Sequence, residues 1–313
     1  MENRSELVFF LQGLNDSLTN RQIYFSFALI TYLLTIFVNL TLIVVVCLEK
    51  SLHEPLYIFL CNLCVNGICG ASSFYPKLLH DLLADSHVIS YIGCLSQIFV
   101  VYAYVFVEFT SLTVMAYDRY LAICKPLQYH TLMTTWRVAQ LLLLTWSFSL
   151  LEISVGVALT ARLPLCGRHI HKFFCTNWEV VKLSCSDTIV NNIYGFVLMF
   201  SHVSQTVLIL VSYTHLVCAS LRLRSNRRKF VQTCLPHLIT LLVFTGSLVF
   251  DIMYSRYSSS SSKLQTLHNM LAAEFLVVPP LINPVIYGIN LHQIRYRILR
   301  NFSVRPETLK PHP

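Results

Sequence analysis

Residues 22–48 read QIYFSFALITYLLTIFVNLTLIVVVCL, twenty-seven positions without an Asp, Glu, Lys or Arg. A helix needs about 20 mainly apolar residues to cross the hydrocarbon core of a bilayer, so this run is long enough to span one. It is not alone. Charge-free stretches recur at 55–76, 86–107, 138–151, 188–221, 230–250 and 275–294. Trimmed, or extended through isolated charges, they predict seven spans near 23–48, 56–80, 91–124, 136–160, 190–219, 231–254 and 265–289. A closed β-barrel is the other way to satisfy backbone polar groups in lipid, but its short strands alternate in polarity and these runs do not. The expected fold is an all-α membrane protein, a seven-transmembrane helix bundle, with a short amphipathic eighth helix and tail over 290–313.

Composition agrees. Of 313 residues, 55% are hydrophobic and 12% charged, and the mean hydropathy is +0.60. Soluble domains carry about twice that charged fraction. A disordered chain, a collagen and a charged coiled coil are excluded on the same grounds. Enzyme signatures are missing as well: there is no phosphate-binding glycine loop, no His-Glu-x-x-His and no serine-nucleophile context. No catalytic residue, metal or cofactor is expected.

Basic residues orient the spans. With the N-terminus outside, the inner segments hold 14 of the 23 Lys and Arg residues, including Lys50, Arg119, Lys125, Arg137, Arg222, Arg224, Arg227, Arg228 and Lys229. The same segments hold four acids, Glu49, Glu54, Asp118 and Glu307. The positive-inside rule then puts residues 1–22 outside and 290–313 in the cytoplasm. The +8 net charge is thus a topology signal rather than a nucleic-acid footprint. Residues 1–22 lack the pattern of a removable signal peptide. They carry two glycosylation acceptors, Asn3 and Asn15. Four cysteines, Cys94, Cys166, Cys175 and Cys185, fall on the outer side, an even set in an oxidising compartment with three possible connectivities.

Met115-Ala116-Tyr117-Asp118-Arg119-Tyr120-Leu121-Ala122-Ile123-Cys124, at the inner end of the third span, resembles the signature of vertebrate olfactory receptors among the rhodopsin-like G-protein-coupled receptors. The resemblance continues through Leu52–Leu60, Ser212-Tyr213, Lys229–Leu238 and Pro280–Tyr287, and so covers nearly the whole chain. Pro236 stands where mammalian members usually have Ser. The Asn62–Gly67 region and Asp85–Tyr91 look more like fish receptors.

The resemblance implies disulfides Cys94–Cys175 and Cys166–Cys185, with Cys94–Cys185 as the alternative. It implies that Asp118, Arg119, Tyr120, Tyr213, Asn283, Pro284 and Tyr287 form the activation switch and G-protein contact, with the sixth helix swinging outward from Phe230 to expose Arg119. Matching the family frame, ligand contact is expected from Tyr102, Val105, Phe106, Ser201, His202, Leu248, Val249, Ile252 and Ala273. Glu108 lies three helical turns before Arg119 and faces the bundle interior, with Asn39 and Asn66 as its polar company. Family members often place an Asp of the second helix there to hold sodium; Gly67 occupies the matching position, so no ion is assigned. Glu152 and His202 are two further polar residues within spans, and no mechanism is rested on them. The implied partners are a small-molecule odorant, membrane lipid and a stimulatory (olfactory) heterotrimeric G protein that raises cyclic AMP. The implied location is the plasma membrane of sensory-neuron cilia. The alternatives are a rhodopsin-like receptor for a non-odorant ligand and a small-solute transporter; the latter usually shows internal repeats, and the halves 23–160 and 190–289 share no visible motif.

Overall fold

The computed structural model describes residues 7–12, 18–222, 227–257 and 274–286; within these, no side chain is described at 218–222, 227–237, 239 or 240. Seven long helical segments run through the described residues: α1 (Leu18–Leu48), α2 (Pro55–Leu83), α3 (Tyr91–Cys124), α4 (Thr135–Ala161), α5 (Ile189–Arg222), α6 (Arg227–Tyr257) and α7 (Glu274–Ile286). The first five are each long and apolar enough to cross a membrane. Residues 258–273 and 287–313 lie outside the described set, and with them the first part of the seventh span and the eighth helix.

Local chemistry sets the helix starts. Pro55 opens α2, where its missing N–H costs nothing. Ser90 caps α3 by accepting from the Gly93 amide at 3.1 Å, and Thr134 caps α4 by accepting from the Arg137 amide at 3.3 Å. Ser and Thr inside the spans turn their hydroxyls back onto the preceding turn, as exposed Thr41 does to the Phe37 carbonyl at 2.7 Å, so that hydroxyl is not left bare towards lipid.

Burial ranks the helices. Over its most apolar stretch α3 is 67% buried within the protein, against 17% for α5. The α3 helix is therefore the axis of the bundle, and the core gathers around Val101, Phe106, Phe109, Leu112 and Met115 with Leu60, Phe74, Phe244 and Leu276 from its neighbours. Large apolar side chains such as Phe27, Phe37, Leu143, Leu151 and Phe200 are exposed on α1, α4 and α5. A soluble protein would bury them; here they form the surface a bilayer would cover.

One end of the bundle is closed by strands. The N-terminal strand β1 (Val8–Leu11) lies between β2 (Val88–Ser90) and β3 (His169–Ile170). It runs antiparallel to β2, with Phe9 opposite Ile89, and parallel to β3, with Leu11 opposite Ile170. Phe9 is fully buried in a small core with Tyr91, Cys94, Ile98, Ile170, Cys175 and Val180. Disulfides join Cys94 to Cys175 and Cys166 to Cys185, the pairs implied by the resemblance. The loop between α4 and α5 is thereby fixed across the bundle mouth. The acceptors Asn3 and Asn15 lie outside the described residues.

Candidate ligand cavity and polar floor

Beneath that loop, α3, α4, α5 and α6 draw apart around a cavity of about 820 Å³, part of it open to solvent. Tyr102, Phe106 and Phe109 face it from α3, at positions i, i+4 and i+7 of one helical stripe. Leu248, Val249 and Ile252 face it from α6, and His202 with Leu198 and Met199 from α5. The loop supplies a roof of Thr176, Asn177 and Trp178, the last two in the short helix Asn177–Val181.

Six of the nine expected contact residues meet at this cavity: Tyr102, Phe106, His202, Leu248, Val249 and Ile252. Two do not line it. Val105 is fully buried in the core, because it is rotated away from the Tyr102–Phe106–Phe109 stripe. Ser201 turns instead to α4, where its hydroxyl donates to Glu152 Oε1 at 3.1 Å. Ala273 lies outside the described residues. The sequence reading left out the α4 wall of Ile153 and Gly156, the loop roof, and the polar group Asp251, Ser255 and Arg256 on the last turns of α6.

Glu152, on which the sequence rested no role, turns out to be a neighbour of the expected contact His202. Glu152 Oε2 lies 3.6 Å from His202 Nε2, beyond a hydrogen bond. The His202 ring packs against Phe106 and Phe109, with centroids 4.3 and 5.2 Å away. Neither of its ring nitrogens makes a hydrogen bond among the described residues. Set against the aromatic rings of α3, these nitrogens offer a polar point to a guest. Arg256 has a different setting. Its guanidinium stacks on Trp178 with 4.4 Å from Cζ to the ring centroid, and its Nε donates to Asn192 Oδ1 at 3.1 Å. Gly195 makes room for it, since a Cβ there would lie 2.0 Å from Arg256 Nη2.

Below the cavity a polar junction ties three helices. Glu108 of α3 accepts from Asn66 Nδ2 of α2 at 3.1 Å and from Asn283 Nδ2 of α7 at 2.6 Å. Asn39 of α1 donates to the Pro280 carbonyl at 2.7 Å. That carbonyl is the acceptor left free where Pro284, four residues on, has no N–H to return. At Gly67 there is no side chain, and a Cβ would stand 3.3 Å from that of Pro280. Amides rather than a second acid therefore meet Glu108. Among the described residues no three His, Cys, Asp or Glu side chains gather as a metal site.

At the far end of α3, Asp118 is fully buried and Arg119 partly exposed, with Nη2 to Oδ2 at 3.5 Å. Tyr129, in the segment after α3, donates its phenol to Asp118 Oδ1 at 2.7 Å. Burial, and then the bonded Asp118, push the Tyr129 phenol above its usual pKa, which keeps it a donor. Tyr213 of α5 is buried in the core and Tyr120 packs at its edge. Tyr287 and the side chains of Arg222 to Lys229 lie outside the described set.

The comparisons with known proteins converge. The family described as "Olfactory receptor" matches residues 27–305. Human olfactory receptor 2A12 is 38% identical over 281 residues, covering 88% of this chain and 89% of the relative. Human olfactory receptor 6N1 is 37% identical, covering 90% and 91%. Mouse olfactory receptor 5M5 is 34% identical, covering 92% and 91%.

Proposed function

Because the chain belongs to the olfactory receptor family, and so is a multi-pass, odorant-type G-protein-coupled receptor rather than an enzyme, we propose that the cavity beneath the α4–α5 loop is its odorant site and the Asp118–Arg119 end its signalling site. The observation that carries this reading is that one helix serves both. Tyr102 and Phe106 of α3 form the cavity wall, and Arg119 follows Tyr102 by 17 residues, about 25 Å along the axis. Glu108 lies between, tied to α2 and α7.

A guest in the cavity touches α3, α5 and α6 at once. By favouring one packing of α6 against α3 over another, it shifts the balance between two states of the bundle. In the resting packing Asp118 holds Arg119. In the active one α6 moves outward, Arg119 is released to a stimulatory G protein, and Tyr213 and Tyr287 close around it. The guest is a small organic molecule, since much of the wall is aliphatic and aromatic, with His202, the loop roof and the group Asp251, Ser255 and Arg256 as its polar points. The receptor stands in the plasma membrane of sensory cilia with its N-terminus outside, where Asn3 and Asn15 can be glycosylated.

Arg119→Ala is the decisive variant. Expressed at the cell surface, it should lose at least 100-fold of the odorant-driven cyclic AMP response. A full response from surface-expressed Arg119→Ala receptor would refute the mechanism.

A further inference from the structure

Lys172 belongs to the loop over the cavity and Asp251 to α6, 79 residues further on, yet the Lys172 ammonium donates to Asp251 Oδ1 at 2.6 Å. Both side chains are buried, 1% and 6% exposed. Asp251 is also part of the cavity wall, and the only carboxylate there among the described residues. The Phe174 ring lies 5.9 Å from the same ammonium.

The loop delivers this ammonium on a stiff frame. Cys175, three residues after Lys172, is bonded to Cys94 of α3. Between them, Phe173 and Phe174 pack on Phe74 of α2, with centroids 6.0 and 5.6 Å apart. A buried ion pair adds little net stability, because desolvating two charges offsets most of their attraction. Its firm consequence is electrostatic. A carboxylate in a low-dielectric wall beside an aromatic face is what a small ammonium ion seeks, and here that place is taken.

We propose that Asp251 is an ammonium subsite of the cavity that the receptor fills with its own Lys172, which makes Lys172 a specificity-determining residue that turns away primary amines. A free amine would have to displace a tethered competitor whose effective concentration is on the order of millimolar or higher. Uncharged guests make no such demand and occupy the rest of the cavity beside the pair.

The inference takes the cavity as the ligand site, but its test reads binding rather than signalling, so the two readings fail separately. Full-length receptor is purified in detergent and its thermal unfolding followed with a series of primary alkylamines, butylamine to heptylamine, against the matching alcohols. Lys172→Ala should be stabilised by at least one amine, by about 3 °C near saturation, and not by its alcohol. Wild-type receptor and the double variant Lys172→Ala/Asp251→Asn should show no amine-specific shift. No shift in Lys172→Ala, or equal shifts in all three proteins, would overturn the proposal. If Lys172→Ala fails to reach the surface by itself, growth with the amine should restore its delivery; delivery no better with amine than with alcohol would overturn it equally.

Discussion

The two ends of α3 are built to opposite standards. At the mouth, three strands from distant parts of the chain, two disulfides and a buried ion pair converge on one loop. At the Arg119 end, Asp118 has one hydrogen bond from Tyr129 and a 3.5 Å approach to Arg119, whose Nε makes no hydrogen bond among the described residues. The mouth is over-determined: removing one contact leaves several that demand the same geometry. The Arg119 end rests on contacts that can be exchanged at little cost. A cavity that discriminates by shape needs the first kind of construction, and a switch needs the second, because two packings must differ by only a few kcal/mol.

Breaking the mouth should have the largest effect. The Cys94–Cys175 bond closes a loop of 81 residues, for which chain entropy alone gives about 4.5 kcal/mol, against about 3 kcal/mol for the 19-residue loop of Cys166–Cys185. Cys94→Ser or Cys175→Ser should therefore abolish surface delivery, while Cys166→Ser keeps a measurable fraction, as flow cytometry of an N-terminally tagged receptor would show. Equal losses would mean that the two bridges are not ranked by loop length.

Thinning the cavity wall comes next. Ile252→Ala and Tyr102→Ala each remove part of the wall, Ile252 on α6 and Tyr102 on α3, where it also packs on the small core of Phe9 and Cys94. Each should weaken odorant potency about 10-fold, equivalent to about 1.4 kcal/mol, with surface delivery held. Val105→Ala, away from the cavity, should leave the potency within about twofold. Unchanged potency in the first two variants would move the ligand site elsewhere.

The smallest change is expected at the other end. Tyr129→Phe deletes the one hydroxyl that holds Asp118 among the described residues. A net hydrogen bond is worth about 1 kcal/mol, so loss of one restraint on the resting packing should raise basal cyclic AMP about two- to fivefold. Basal activity equal to wild type would show that the resting state is held by contacts other than this one.

Sequence revealed the helices because lipid imposes a rule that can be read one run at a time: a span holds few charges, and Gln22–Leu48 holds none. Tyr102 and Phe106 were reached through the family resemblance, which carries contacts that no local pattern states. What escaped is what depends on distance along the chain. Val8–Leu11 has no strand signature of its own and becomes a strand because β2 and β3 lie on either side of it. The Lys172–Asp251 and Glu152–His202 pairs unite residues 79 and 50 positions apart. Charge counting along the chain singled out Glu152 and His202 without joining them, and passed over Lys172 and Asp251. Val105 was misplaced by one helical step, the difference of about 100° between a wall residue and a core residue.

The position of β1 also sets an order of assembly. It precedes both of its partners in synthesis: Ser90 lies 82 residues after Val8, and His169 lies 159 residues after Phe10. Until α4 has been threaded, Phe9 has no β3 beside it and no Cys175 in its core. This strand can pair with β2 first and must wait for β3 until the middle of the chain arrives. The mouth is sealed late, by β1. Whatever is attached ahead of Leu7, a sugar or an experimenter's tag, travels with the segment that closes the molecule.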